Sequence, residues 1–87
     1  MTKTNAIHLK TVATVSRQSS IQDAAKLMRD QHVGCVVVVD EKGGRRVPVG
    51  LLTDRDIVVE VVADAVPLDK IRVEDIMCRE VTTAPVD

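Results

Sequence analysis

The sequence contains no phenylalanine, tyrosine or tryptophan. No aromatic ring is therefore available to stack on a nucleobase, which removes the usual platform for single-stranded nucleic acid. The charges are balanced, with 12 basic and 13 acidic residues, so a broad polyanion-binding face is not expected either. A bound base would have to lie between aliphatic side chains and backbone.

Long apolar runs and paired metal ligands are also missing. No run approaches the ~18 residues of a membrane span, and the first ten residues lack the apolar centre of a secretion signal. We therefore predict a cytoplasmic protein with reduced thiols and no membrane or nucleic-acid partner. The two cysteines and two histidines show no C-x-x-C or H-x-x-x-H spacing, so neither a zinc site nor a Cys-His nucleophile is expected. Cys35 is predicted to be a small buried apolar residue.

Apolar residues make up 45% of the 87 residues, enough for one small domain. The β-branched run 12–15 predicts a first strand. Ser20 and Asp23 have the spacing of a capping box, and the apolar periodicity behind them predicts a helix from about Ser20 to His32. Gly34, just past that helix, is expected to be its left-handed cap.

The run Cys35–Val39 predicts a strand buried on both faces. The sequence EKGGRR predicts a turn, in which Arg45 and Arg46 are interpreted as solvated loop residues or as a minor anion contact. The return strand is expected over Val47–Leu52, with Pro48 indicating an edge position or a bulge. Thr53 and Asp56 repeat the capping-box spacing. They favour a helix over Ile57–Ala63, although the valines of that segment individually prefer a strand.

The predicted order is strand, helix, strand, strand, helix: an α/β fold, similar to a small α+β sandwich, with a βαββα core of two helices on a short three-stranded sheet. Residues 1–66 would form one complete unit with an N-terminal lead-in. Residues 67–87 would form a linker and the first strand of a second unit, because VTTAPVD near the end echoes VATVSRQ near the beginning. The chain is thus expected to be a fragment of a longer protein.

The stretches TVSRQSSIQDAAKLMRDQHVG, CVVVVDEKG and VGLLTDRDI, in this order and spacing, resemble the CBS domain, the regulatory repeat named after cystathionine β-synthase. The resemblance covers one repeat, roughly Val12 to Val66. It implies a regulatory domain rather than an enzyme. It also implies pairing of repeats into a Bateman module.

The family's motif G-h-x-[ST]-x-x-[DN] is matched in full by GLLTDRD. The resemblance implies that Thr53 contacts phosphate or ribose, that Asp56 binds the ribose hydroxyls, and that Thr14 borders the ligand. An adenine slot is implied beside the backbone of the first two strands. The implied ligands are AMP, ADP, ATP or S-adenosylmethionine, with no required cofactor. The predicted ligand-binding residues are Thr14, Val36, Gly50, Thr53, Arg55 and Asp56.

The physical chemistry of the residues supports these roles. A helix N-terminus attracts phosphate, a carboxylate accepts both hydroxyls of a cis-diol, and Arg55 could reach a phosphate. Three other interpretations remain open. Thr53 and Asp56 could only cap a helix. The domain could be a dimerisation scaffold without ligand. Asp54 and Asp56 could be the D-x-D of a haloacid dehalogenase-like phosphotransferase with magnesium, which would need more chain than this.

A single repeat would leave apolar helix surface uncovered, chiefly at Ile57, Val58, Val61 and Val62. We therefore expect a homodimer through the helix faces. The identity of the regulated protein is not encoded in any recognisable motif.

Overall fold

The computed structural model describes residues 13–79, and these form a three-stranded sheet with helices on one face. The elements are β1 (Thr14–Ser16), α1 (Ile21–Gln31), β2 (Cys35–Lys42), β3 (Arg45–Thr53), α2 (Asp54–Ile57), a π-helical segment (Val58–Val62), a short 3-10 turn (Leu68–Lys70) and α3 (Val73–Ile76). β2 is central, parallel to β1 and antiparallel to β3. This confirms the predicted α/β fold class with its βαββα order.

Helix α1 begins and ends close to the predicted bounds. The Ser20 hydroxyl accepts a hydrogen bond from the backbone N–H of Asp23 at 3.0 Å, which satisfies one of the free donors of the first turn. The predicted left-handed cap at Gly34 is wrong, because His32 takes that conformation with φ 57°. Gly34 lies close to Asp54 instead: a Cβ there would lie 3.0 Å from a carboxylate oxygen of Asp54, so that exposed side chain would have to shift slightly.

The β2–β3 hairpin closes through Gly43 and Gly44, whose φ angles of 58° and 79° favour glycine. Val38 pairs with Gly50 but Val39 pairs with Pro48, so Val49 is the extra residue of a β-bulge. The bulge or edge position predicted from Pro48 is confirmed.

A helix follows β3, as predicted, but most of it is not α-helical. After the single turn of α2, the chain closes i→i+5 hydrogen bonds from Ala63 to Val58 at 2.8 Å and from Val66 to Val61 at 3.0 Å. β-branched side chains crowd the turns of an α-helix, and this segment is almost entirely valine. The prediction of helix over strand is confirmed, and the wider helical turn is a feature that the pattern did not indicate.

The core lies between the helices and one face of the sheet. Ile21, Ala24 and Met28 of α1 pack with the inward residues of β2 and β3, which are Val36, Val38 and Leu52. Val61 is also part of this core, at 2% exposure, so the expectation that it lies on uncovered surface is wrong. The central strand is buried over Val36–Val39, but Cys35 is exposed. The predicted burial of Cys35 is therefore wrong: it stands at the end of the sheet.

The chain after Val66 is part of the same core. Ile71, Val73 and Met77 are buried within it. Together they contribute roughly 5 to 9 kcal/mol of apolar burial, as much as the net stability of a small domain. Met77 covers Gly50, where an added Cβ would meet its sulfur at 2.7 Å. The predicted linker thus closes the core; the predicted strand after it, residues 81–87, lies outside the described residues.

None of the helices between residues 13 and 79 has the length and apolar character needed to traverse a bilayer.

Candidate ligand site on the open sheet face

The sheet face away from the helices carries a set of residues that strand register brings together. Thr14 pairs with Val37, Val37 with Leu51, and Cys35 with Thr53. Side chains alternate along a strand, and Val36, Val38 and Leu52 point to the core. The five paired residues therefore share the opposite face, with Val37 and Leu51 as an aliphatic floor between the two threonines.

Thr53 and Asp56 form a complete capping box at the end of β3. The Thr53 N–H donates to Oδ2 of Asp56 at 3.0 Å, and the Asp56 N–H donates to Oγ1 of Thr53 at 3.1 Å. These two hydrogen bonds fix both side chains, each of which is half-buried. Oδ1 of Asp56 makes no hydrogen bond to any residue between 13 and 79, so one carboxylate oxygen stays available to a ligand.

Cys35 lies beside this cap. The backbone N–H of Asp54 donates to the carbonyl of Gly34 at 2.9 Å, which holds the start of α2 against the start of β2. Protein atoms around the thiol remove part of its water, and the carboxylates of Asp56 and Asp54 add negative potential. Both effects raise the pKa of the Cys35 thiol. Cys35 is thus a weakly acidic thiol at the rim of the site.

Thr14 accepts a hydrogen bond from Nη1 of Arg46 at 3.2 Å. These residues lie 32 positions apart in the chain, and the sequence had indicated a solvated loop residue or a minor anion contact at Arg46. Both line a groove of about 840 Å³ that runs beside β1 along the end of β2. Arg46 is the residue that sequence reasoning missed, since only strand register shows that it reaches β1.

A bidentate ion pair forms one wall of the groove. Nε of Arg17 donates to Oδ1 of Asp40 at 2.9 Å, and Nη2 donates to Oδ2 at 2.7 Å. This hydrogen bonding lowers the pKa of the Asp40 carboxyl and raises the pKa of the Arg17 guanidinium. The pair anchors the end of β1 to β2, so Arg17 is a fixed and neutralised cation.

The predicted site residues fall into two groups. Thr14, Thr53 and Asp56 lie at the open sheet face, and Arg55 is exposed on α2 next to them. Val36 points its side chain into the core, and Gly50 is buried beneath Met77. Only their backbone could approach a ligand, and packing alone explains the glycine. Among residues 13–79 no cluster of histidine, cysteine or carboxylate side chains is arranged to hold a metal ion.

Comparison with known proteins gives a consistent result. The family model of the CBS domain matches residues 5–63. An uncharacterized protein of Methanocaldococcus jannaschii is 39% identical over 77 residues, which are 88% of this chain and 41% of that protein.

Solved structures with the same fold include a CBS-domain protein of Burkholderia ambifaria, described as a signal-transduction candidate. It has a TM-score of 0.71 and 35% identity, covering 82% of this chain and 49% of that one. A hexameric CBS-CP12 protein of bloom-forming cyanobacteria has a TM-score of 0.69 and 26% identity, covering 82% of this chain and 38% of that one. The chain thus spans about half or less of the length of these relatives.

Proposed function

Because this chain belongs to the CBS domain family, we propose that it is a regulatory module that binds an adenosine-containing ligand on its open sheet face. CBS domains are as a family regulatory rather than catalytic. The ligand would be AMP, ADP, ATP or S-adenosylmethionine, and its binding would change how paired repeats are arranged.

The capping box is the observation that carries this proposal. It holds Asp56 in one orientation and leaves Oδ1 free at the open face, where it can accept the hydroxyls of a ribose. The preorganised carboxylate lowers the entropy cost of binding. Thr14 and Thr53 supply further polar contacts, and the half-buried side chain of Leu51 between them offers apolar surface that can support a base without an aromatic partner.

Isothermal titration calorimetry with AMP, ADP, ATP and S-adenosylmethionine tests the proposal. GMP is the control, because it carries a different base. In Asp56→Asn the amide oxygen can still accept from the Thr53 N–H, so the cap is kept, but the second acceptor for the ribose is lost. We expect affinity for the best adenosine ligand to fall at least tenfold, about what a hydrogen bond to a charged group contributes.

Asp75→Asn is the matched control. Asp75 accepts from the Arg72 N–H at 2.8 Å at the start of α3, as Asp56 accepts from the Thr53 N–H, so the substitution changes the same charge and the same backbone contact away from the site. Equal loss of affinity in both variants, or no binding by the folded wild type, would contradict the proposal.

A ligand-free dimerisation scaffold is the second candidate. One argument for it is that Thr53 and Asp56 already form two hydrogen bonds with each other. A second is that apolar side chains of the π-helical segment are exposed, Val58 at 55% and Val62 at 65% of their surface. The cyanobacterial relative is hexameric, which supports self-association of such domains. A protein that dimerises and binds none of the four ligands would fit this second function.

A further inference from the structure

The central strand β2 is longer than β1 and extends beyond it at its carboxyl end. β1 has 3 residues, and the last of them, Ser16, pairs with Val39. β2 continues from there to Lys42, paired only with β3. The β1-side edge of residues 40–42 is therefore not covered by any strand of the described part of the chain. An uncovered strand edge offers backbone donors and acceptors to another chain.

Glu41 is the residue whose backbone groups face this edge. The Val37 N–H donates to the carbonyl of Ala13 on the β1 side at 3.0 Å. Backbone groups alternate between the two edges of a strand, so Glu41, an even number of residues further on, faces the same side. Lys42 and Arg45, which close the glycine turn as a hydrogen-bonded pair, face each other instead. Within residues 13–79 the Glu41 N–H and C=O have no partner in the β1 ladder or in a turn.

The groove of about 840 Å³ beside β1 runs along this same edge. One wall is the turn after β1, with Arg17 and Gln18, and the other wall is formed by residues 40–42 of β2. The ion pair of Arg17 with Asp40 holds the two walls together. An extended chain lying in the groove beside Glu41 would continue the row that β1 begins. In such strand addition, main-chain hydrogen bonds supply affinity and alternate side chains supply specificity.

On the helix side of the sheet, the end of β2 carries positive charge. Val38 points to the core, and alternation places Asp40 and Lys42 on the same side. The Asp40 carboxylate accepts two short hydrogen bonds from Arg17. Lys42 lies directly opposite Arg45, and neither forms an ion pair with a carboxylate of residues 13–79. Like charges directly opposite each other are destabilising, so a carboxylate placed beside Lys42 would be stabilising.

The open face at the same point has no excess charge, because Glu41 lies directly opposite Arg46. Arg46 also donates to Thr14 across β2. A neutral side chain therefore fits beside Glu41 on this face, whereas a carboxylate would be repelled by it. The two faces of the strand end thus favour different residue types.

We propose that the groove binds an extended acidic peptide segment of a partner protein, which adds as a strand beside Glu41. Because successive side chains of a strand alternate between its faces, acidic residues would recur at every second position, beside Lys42. The chain has no aromatic side chain on which a nucleobase could stack. The cations at the end of this hairpin, Lys42, Arg45 and Arg46, are fewer than the roughly 4 to 8 that typically recruit a protein to anionic membranes.

Two peptides of equal length and composition test the proposal by calorimetry. One alternates threonine and glutamate, and the other has all its threonines before its glutamates. Attraction by charge alone would give both peptides the same affinity, whereas an added strand has to present its carboxylates on one face. We expect the alternating peptide to bind at least about fivefold more tightly, which corresponds to one net hydrogen bond.

The variants Lys42→Gln and Lys26→Gln locate the contact. Lys26 is an exposed lysine of α1 that does not line the groove, so both variants remove the same charge. We expect Lys42→Gln to weaken the alternating peptide about fivefold and Lys26→Gln to change it by less than about twofold. Amide hydrogen exchange gives a second readout. The Glu41 N–H should exchange more slowly in the complex, because the added strand accepts its hydrogen bond.

Equal affinity for the two peptides, equal effects of the two lysine variants, or unchanged exchange of the Glu41 N–H in the complex would overturn the inference. The folded chain binding neither peptide would overturn it as well. Tighter binding of an oligothymidylate of equal charge would assign the surface to nucleic acid instead. None of these measurements involves Asp56, so they leave the proposed adenosine site to its own test.

Discussion

Asp40 and Arg17 share two short hydrogen bonds at the wall of the groove. The guanidinium favours the charged carboxylate, so the pKa of Asp40 is lower in the folded protein than in the unfolded chain. A lowered folded pKa stabilises the protein at every pH above the unfolded value of about 3.9. That contribution disappears as the pH falls through the folded pKa.

We therefore predict that Asp40→Asn reduces the acid sensitivity of the fold. Urea unfolding between pH 7 and pH 2.5 should show a smaller loss of stability for the variant than for the wild type, because the variant has no carboxylate to protonate there. Asp30→Asn, which removes the exposed carboxylate beside Arg29, is the charge-matched control. Parallel pH profiles for wild type and Asp40→Asn would show that the ion pair contributes nothing.

Single residues differ in how far the sequence could predict them. The capping geometry of Thr53 and Asp56 followed from their spacing, because a capping box is a local structure. The exposure of Cys35 did not follow, since an unbroken apolar run does not reveal where the sheet ends. The contact of Arg46 with Thr14 depends on pairing across three strands and on the bulge at Val49, and neither is visible in local sequence.

At the scale of elements, the segment after Val66 completes the fold. Besides its buried residues, it forms antiparallel bridges from Cys78 to Leu51 and from Arg72 to Ser20. Gly50 permits this docking, because a Cβ would meet the sulfur of Met77 at 2.7 Å and the carbonyl of Cys78 at 3.0 Å. The glycine of the predicted ligand motif is thus required by packing in this chain.

Gly50→Ala should destabilise the protein by about 1 to 3 kcal/mol through overpacking. Combining it with Met77→Ala should cost less than the sum of the two single changes, because the shortened side chain leaves room for the added methyl group. Thermal and urea unfolding of the four proteins in this cycle measure the coupling. Strict additivity would contradict a steric role for the glycine.

For the helices too, features that depend on local sequence were predicted and other features were not. The start of α1 and the helical state of Ile57–Ala63 were predicted from caps. The left-handed residue was predicted at Gly34 and lies at His32, because α1 ends at Gln31 and the residue directly after it closes the helix. The i→i+5 hydrogen bonds of the π-helical segment had no signal in a pattern that only distinguishes helix from strand.

For the whole molecule, three of the five exposed large apolar side chains between residues 13 and 79 lie on the π-helical segment, where Val59 at 44% joins Val58 and Val62. Exposed apolar side chains that cluster in this way favour a protein–protein contact at this surface. The order of elements along the chain was predicted, and the sheet order β1-β2-β3 agrees with the tendency of neighbouring strands to pair. The patch was only partly predicted, since Val61 turned inward and Ile57 packs against the core.

We predict that the wild type sediments as a dimer at micromolar concentration and that Val58→Lys/Val62→Lys sediments as a monomer, because two charges would have to be desolvated in the interface. Gln22→Lys, on an exposed position of α1, controls for added positive charge. A wild-type chain that is folded and monomeric under these conditions would refute association through this patch.

The π-helical segment also bears on how the chain tolerates insertion and deletion. Each i→i+5 hydrogen bond of this segment encloses one residue more than the i→i+4 hydrogen bond of an α-helix. Loss of one codon inside Val58–Val62 could therefore be absorbed by a return to i→i+4 bonding, which few helices allow. The segment would keep its helical bonding, and the side chains beyond the deletion would keep nearly the same orientation toward the sheet, because the missing residue and the tighter turn offset each other. A change of one residue in the length of this turn would therefore leave the same face of the following chain against the core.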